Sequence, residues 1–205
     1  NFKRVLTLKI LSILRFLGLY RLELYIANRK ASKRAVVIDK EKVDIVFYPQ
    51  PSELSFLSKT PAVVTVHSLQ HRLQGNFPEV TENGQFMKRE FTYSGISKNA
   101  RKIIVDSVTT RDDMIHLYNT APDKFEILPY LPPDYITEKV TDSEKQMLEK
   151  KYKLPKHFIF YPAQFWPHKN HLRLLEALAI LKKKGMNVSL VLSGALKPAW
   201  GVIEQ

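Results

Sequence analysis

The segment Tyr161-Pro162-Ala163-Gln164-Phe165-Trp166-Pro167-His168-Lys169-Asn170 gathers the densest chemistry in the chain. It follows a strand-like run and precedes a helical pattern. It is therefore a loop at the carboxyl end of a strand, the edge where open α/β sheets bind ligands. The unpaired N–H groups and positive dipole end of a helix starting near Asn170 favour an anion, and Lys169 adds a full charge. A diphosphate fits this chemistry. The residues alone equally allow an ordinary loop with an aromatic plug and a solvated lysine.

A second group lies upstream. His67 closes the run Ala62–Val66, and His71 and Arg72 follow in what reads as a strand-to-helix loop facing an interdomain cleft. A neutral imidazole accepts a hydrogen bond from a bound ligand or donates one to it. Arg72 pairs with a phosphate or an acidic acceptor. For all three, bonding within the loop is the competing reading.

Other constellations carry less. Asp112 and Asp113 are neighbours that diverge on a helix, so they read as first-turn partners of the helix dipole rather than an acid/base pair. His168 and His171 are three apart with no third ligand nearby, and no metal site is expected. Asp106-Ser107 reads as a strand end followed by an N-cap. Seven glycines with no adjacent pair leave no Gly-rich phosphate loop.

The elements that must hold these residues follow an α/β rhythm. Strand-like runs occur at Val43–Tyr48, Ala62–Val66, Lys102–Asp106 and Phe125–Leu128, with helices over Gln85–Asn99 and Val108–Tyr118, the latter capped by Ser107. Near-continuous apolar strands alternating with helices predict a parallel sheet covered on both faces. Leu131-Pro132-Pro133-Asp134 breaks the rhythm and marks a domain boundary. Thr141/Glu144 and Ser143/Gln146 both have capping-box spacing, so a helix follows to Tyr152. A second unit then has a strand over His157–Tyr161, a helix from Asn170 to Lys184 closed by Gly185, and a strand over Val188–Leu192. Two strands are too few to close a core.

Residues 2 to 30 read as one long helix, apolar and basic. Lys9, Arg15, Arg21 and Glu23 bring too much charge for a comfortable bilayer span. Three readings stay open: a core-packing helix, a helix lying on an anionic membrane surface, and a nucleic-acid contact. The chain of 205 residues carries a formal charge of +12. About two thirds of that excess falls in residues 1 to 34, where nine basic side chains face the single acid Glu23. Apolar content of 44% and charged content of 25% are those of a globular protein. The absence of cysteine excludes disulfides and thiolate chemistry and fits a reducing compartment. The chain begins at Asn1, and Gly201 to Gln205 carry no stop pattern, so both ends are expected to be cut.

These residues bear a resemblance. The stretch FIFYPAQFWPHKNHLRLLEALAIL, residues 158–181, resembles the opening of the donor-side domain of family 4 (group 1) glycosyltransferases. VVTVHSLQHR, FPEV, IIVDSVTTRDDMIHLY, FEILPY and the Pro-Pro linker look like the second half of that family's acceptor-side domain, in the same order. The resemblance spans about residues 43 to 194. It implies the two-domain GT-B architecture, with two Rossmann-like parallel-sheet domains, both incomplete here. Residues 1–131 would end the acceptor-side domain, 132–141 would be the linker, and 142–205 would start the donor-side domain.

The same resemblance implies roles. Lys169 matches the lysine that contacts the donor diphosphate, with Gln164, where many members have arginine, and Asn170 beside it. His67 matches a histidine near the transferred sugar and is the implied catalytic residue; Ser68 stands where aspartate is common. His71 and Arg72 match an "HR" on the acceptor or sugar side. The implied activity moves a sugar, with retention, from a nucleoside diphosphate sugar to an unknown saccharide or lipid-linked acceptor. No cofactor beyond the donor substrate and no nucleic-acid partner are expected. The protein should be cytoplasmic, peripheral on the inner membrane face, and the 205 residues alone inactive. The family's Gly-rich first loop and late glutamate pair are absent. The rivals are a non-catalytic basic module binding membrane or acidic polymer through residues 1–34, and an epimerase or phosphorylase of the same architecture.

Overall fold

A glycine interrupts the N-terminal helical stretch. In the computed structural model, which describes residues 2–195, helices α1 (Phe2–Phe16) and α2 (Tyr20–Lys40) replace the single helix expected over residues 2 to 30. Gly18 sits at φ 71°, a left-handed conformation that glycine adopts without a Cβ penalty. Leu19 N–H bonds Leu14 C=O at 2.8 Å and Gly18 N–H bonds Arg15 C=O at 3.1 Å, the paired bonds of a Schellman closure. The apolar pattern runs through Gly18 unbroken, which hides the break from periodicity. Near the end of α2, the Asp39 carboxylate accepts bonds from Ser58 Oγ at 2.5 Å and Lys59 N–H at 2.9 Å. The Ser58 bond above all, with the neighbouring N–H groups, holds that carboxyl below its ordinary range.

The chain forms two units, Asn1–Leu131 and Pro132–Gln205. In the first, the hairpin leads into β1 (Val46–Tyr48), α3 (Leu54–Leu57), β2 (Ala62–Val66), α4 (Gln70–Leu73), α5 (Pro78–Thr81), α6 (Gln85–Asn99), β3 (Lys102–Val105), α7 (Val108–Tyr118) and β4 (Phe125–Ile127). The strands form one parallel sheet in the order β1-β2-β3-β4, with Val46 opposite Ala62, Val64 opposite Ile103 and Ile103 opposite Phe125. Burial along β2 alternates: Ala62, Val64 and Val66 are fully buried, while Val63 and Thr65 are half-covered. One face therefore carries the core, and the other face is partly covered. Ile103 and Val105 from β3, Tyr93 and Ile96 from α6, Met114 from α7, and Phe125 complete the core.

Local signals set the helix ends. Ser107 Oγ accepts from Thr110 N–H at 3.2 Å, which makes it the N-cap of α7. Asp112 and Asp113 lie one turn further in than a dipole partner should, because the helix begins at Val108. Asp112 pairs instead with its neighbour Arg111, at 2.8 Å.

The second unit comprises α8 (Asp142–Tyr152), β5 (Phe158–Pro162), α9 (His171–Lys183) and β6 (Ser189–Ser193), the two strands parallel with Phe158 opposite Ser189. Thr141 and Glu144 form a reciprocal capping box at α8. At the end of α9, Gly185 at φ 81° closes a second Schellman turn, with Met186 N–H on Leu181 C=O at 3.0 Å. No side chain in β5 or β6 is fully buried. Asn1 and Gly201 to Gln205 lie outside the described residues.

Candidate functional site

His67 is positioned by the ends of three strands. It follows β2, and its Nε2 lies 3.2 Å from the carbonyl oxygen of Pro49, just beyond β1. A carbonyl only accepts, so Nε2 carries the proton. In the neutral ring Nδ1 is then an acceptor, and the Tyr130 hydroxyl, beyond β4, donates to it. The two rings stack with centroids 5.8 Å apart and planes 25° from parallel. Tyr130 is 70% exposed, so it is the partner that a ligand hydroxyl can displace. Nothing in the local sequence around Pro49 or Tyr130 points to this pairing; it follows from the parallel topology.

His71 and Arg72, the pair expected on the acceptor or sugar side, both lie in α4 and bond Glu90. His71 is fully buried in α4, with Nε2 2.9 Å from Glu90 Oε1 and 2.9 Å from Tyr118 Oη. Tyr118 Oη donates to the same carboxylate at 2.6 Å, and Arg72 Nε bonds it at 2.8 Å. The Arg72 guanidinium also lies 5.6 Å from the Tyr118 ring centroid. Burial pushes the His71 imidazole below its ordinary value despite Glu90. Burial alone would raise Glu90, but its bonds to Arg72, Tyr118 and His71 outweigh that and hold it low. This network ties α4 to α6 and α7. His71 has no exposed surface, whereas the Arg72 side chain stays partly open to solvent.

The second group is the loop between β5 and α9. Tyr161 Oη donates to Lys169 C=O at 2.8 Å, and Trp166 Nε1 donates to Gln164 Oε1 at 2.8 Å. Phe165 and His171 are the two buried side chains of the second unit among the described residues. Their rings stack at 4.6 Å and 28°, with Tyr161 packed on His171 at 5.0 Å. Neither His171 ring nitrogen has a hydrogen-bond partner among the described residues. Gly194, after β6, fits tightly here, since a Cβ would meet Ala163 O at 2.1 Å. Any larger residue would push the loop backbone away.

That scaffold leaves two features open. Lys169 is exposed, and no described residue pairs with its ammonium. Asn170 adopts a left-handed conformation, φ 57°, and its side chain makes no cap bond. The first N–H groups of the 13-residue α9 therefore remain available at the sheet's carboxyl edge. An exposed cation beside uncapped helix N–H groups is an anion-binding arrangement. The Gln164 oxygen accepts from Trp166, and its amide nitrogen supplies the donors of that side chain.

No protein-family model matches the chain, and no curated protein matches it. Among solved structures it is similar to a glycosyltransferase from Rickettsia africae ESF-5, at a TM-score of 0.51 and 18% identity over 81% of this chain. The chain spans 42% of that structure's length. At this identity the likeness is one of fold alone, a parallel α/β architecture shared with that structure.

Proposed function

We propose that the chain is part of a glycosyltransferase of the retaining, two-domain GT-B kind found in family 4. It would move a sugar from a nucleoside diphosphate sugar to a saccharide or lipid-linked acceptor. The observation that carries this reading is the exposed Lys169 beside the uncapped start of α9, in a chain whose fold resembles a glycosyltransferase. Breaking the sugar–phosphate bond builds negative charge on the diphosphate. Donors fixed where that charge develops stabilise the transition state more than the ground state. Lys169 supplies the charge, the α9 N–H groups and the Gln164 amide supply neutral donors, and Asn170 sets the turn that presents them. On this reading the first unit is acceptor-side, and His67 meets a sugar hydroxyl through Nδ1 once Tyr130 moves away. His71 and Arg72 hold the His67 loop.

The test is steady-state kinetics of Lys169→Ala in the intact enzyme. Loss of one well-placed donor of this kind costs on the order of a hundredfold to a thousandfold in kcat. Lys169→Arg should recover part of it, because a guanidinium differs from an ammonium in reach and geometry. A folded Lys169→Ala enzyme with near-normal kcat would remove the donor-phosphate assignment.

A further inference from the structure

The backbone of Lys169 is held on both sides. Its N–H donates to the Trp166 carbonyl at 3.0 Å, closing the short turn Pro167–Lys169. Its carbonyl accepts from Tyr161 Oη at 2.8 Å. The bonds of α9 begin one residue later, at the Asn170 carbonyl, which accepts from Leu174 N–H at 3.4 Å. The Lys169 carbonyl therefore lies outside the helix ladder and takes its partner from elsewhere in the fold. Tyr161 can supply that partner because its own ring is held. It lies in β5 opposite Leu192 of β6 and packs on His171 with centroids 5.0 Å apart. His171 is 2% exposed and stacks on buried Phe165. Its ring nitrogens have no partner among the described residues, so the imidazole serves this stack by packing alone. A strand-anchored hydroxyl thus reaches across eight positions of sequence to the residue that carries the exposed charge.

We infer that Tyr161 is a positioning residue for Lys169: by holding the Lys169 carbonyl, it fixes the direction in which the ammonium leaves the loop. This role rests on the anion-binding reading of Lys169 given above. A lysine stem is flexible, so its charge serves a bound diphosphate best when the backbone end does not move as well. Tyr161 makes no contact with the anion; its whole effect passes through Lys169.

The experiment is calorimetric titration of the intact protein with inorganic pyrophosphate, which carries the diphosphate without sugar or base. Tyr161→Phe keeps the ring on His171 and deletes only the hydroxyl. It should weaken binding by about three- to tenfold, the scale of coupling between neighbouring groups in one network. Lys169→Ala should weaken it by about tenfold or more, because a charged donor is lost. Adding Tyr161→Phe to Lys169→Ala should then cost less than about twofold. A tyrosine with a merely structural role would cost the same in both backgrounds. Thermal unfolding checks that each variant is folded. The proposal is overturned if Tyr161→Phe binds like the parent while Lys169→Ala does not, or if the hydroxyl costs the same in both backgrounds; the anion-binding reading survives either result. A Tyr161→Phe chain that does not fold also overturns it, since the hydroxyl would then serve the fold. A parent that does not bind pyrophosphate, or a Lys169→Ala variant that binds it normally, removes that reading and the role of Tyr161 together.

Discussion

The two units place their candidate residues differently relative to their packing. In the first, His67 follows buried Val66 but is itself outside the buried cluster of β2, β3, α6 and α7, half-covered and with an exposed tyrosine as partner. In the second, the buried pair Phe165 and His171 is itself part of the candidate loop. Stability and site are therefore separable in the first unit and joined in the second. A change that loosens the second unit's best-packed spot also moves Lys169, whose carbonyl is held by Tyr161 against the same aromatic group.

Truncating one buried side chain in each unit gives the largest test of this contrast. Phe165→Ala should cost roughly 3–5 kcal/mol and Ile103→Ala roughly 2–5 kcal/mol, the usual range for buried aromatic and aliphatic deletions. Only Phe165→Ala should also weaken binding of a nucleoside diphosphate, measured by calorimetry below the unfolding transition. If it unfolds but binds normally when folded, the coupling is wrong. If Ile103→Ala lowers the activity of the folded enzyme as much as His67→Ala does, the separation is wrong.

Acidification sharpens the comparison at a smaller scale. Burial lowers the His71 pKa in the folded state, so below about pH 6.5 the unfolded chain takes up a proton that the native state resists. Stability should then fall as pH drops from 7 towards 5. Glu90, held low by its partners, contributes stability that is present above its unfolded value and lost as pH falls through its folded one. His71→Gln should flatten the upper part of this profile in denaturant titrations. An unchanged slope between pH 7 and 5 would show that His71 does not set it.

The smallest effects concern helix starts. Thr141→Ala breaks the α8 capping box and Ser107→Ala removes the α7 cap, each costing about 1 kcal/mol. Ser107 lies beside the buried core of the first unit, whereas α8 has no buried side chain. Thermal unfolding of the first unit should therefore report Ser107→Ala clearly. Thr141→Ala should show mainly as amide exchange confined to α8.

Much of the fold is legible from short-range pattern. Ala62–Val66 reads as a strand with its bounds intact, as do the helices Gln85–Asn99 and Val108–Tyr118. Ser107, Thr141 and Gly185 announce helix ends because capping bonds form between residues a few positions apart. Strand ends elsewhere shift by one to three residues, as at Val46, where ladder bonds to β2 rather than composition set the boundary. Gly18 escapes notice because the residues on both sides remain apolar. The candidate loop is legible as well, since a strand, a Lys-Asn pair and a helical leucine stripe are contiguous.

The sequence by itself determined the parallel α/β class, the position of the basic loop at a strand's carboxyl end, and the uneven charge of residues 1–34. Each depends on residues close in the chain, where periodicity and capping act directly. Only the tertiary structure decided that His71 is buried against Glu90 and Tyr118, that Pro49 and Tyr130 fix the His67 ring, and that Phe165 lies on His171. The residues of the first two groups are 18 to 63 positions apart. Phe165 and His171 are near in sequence, but a loop between them must fold back before their rings meet. Burial and partner choice depend on which elements pack together, and no local pattern encodes that.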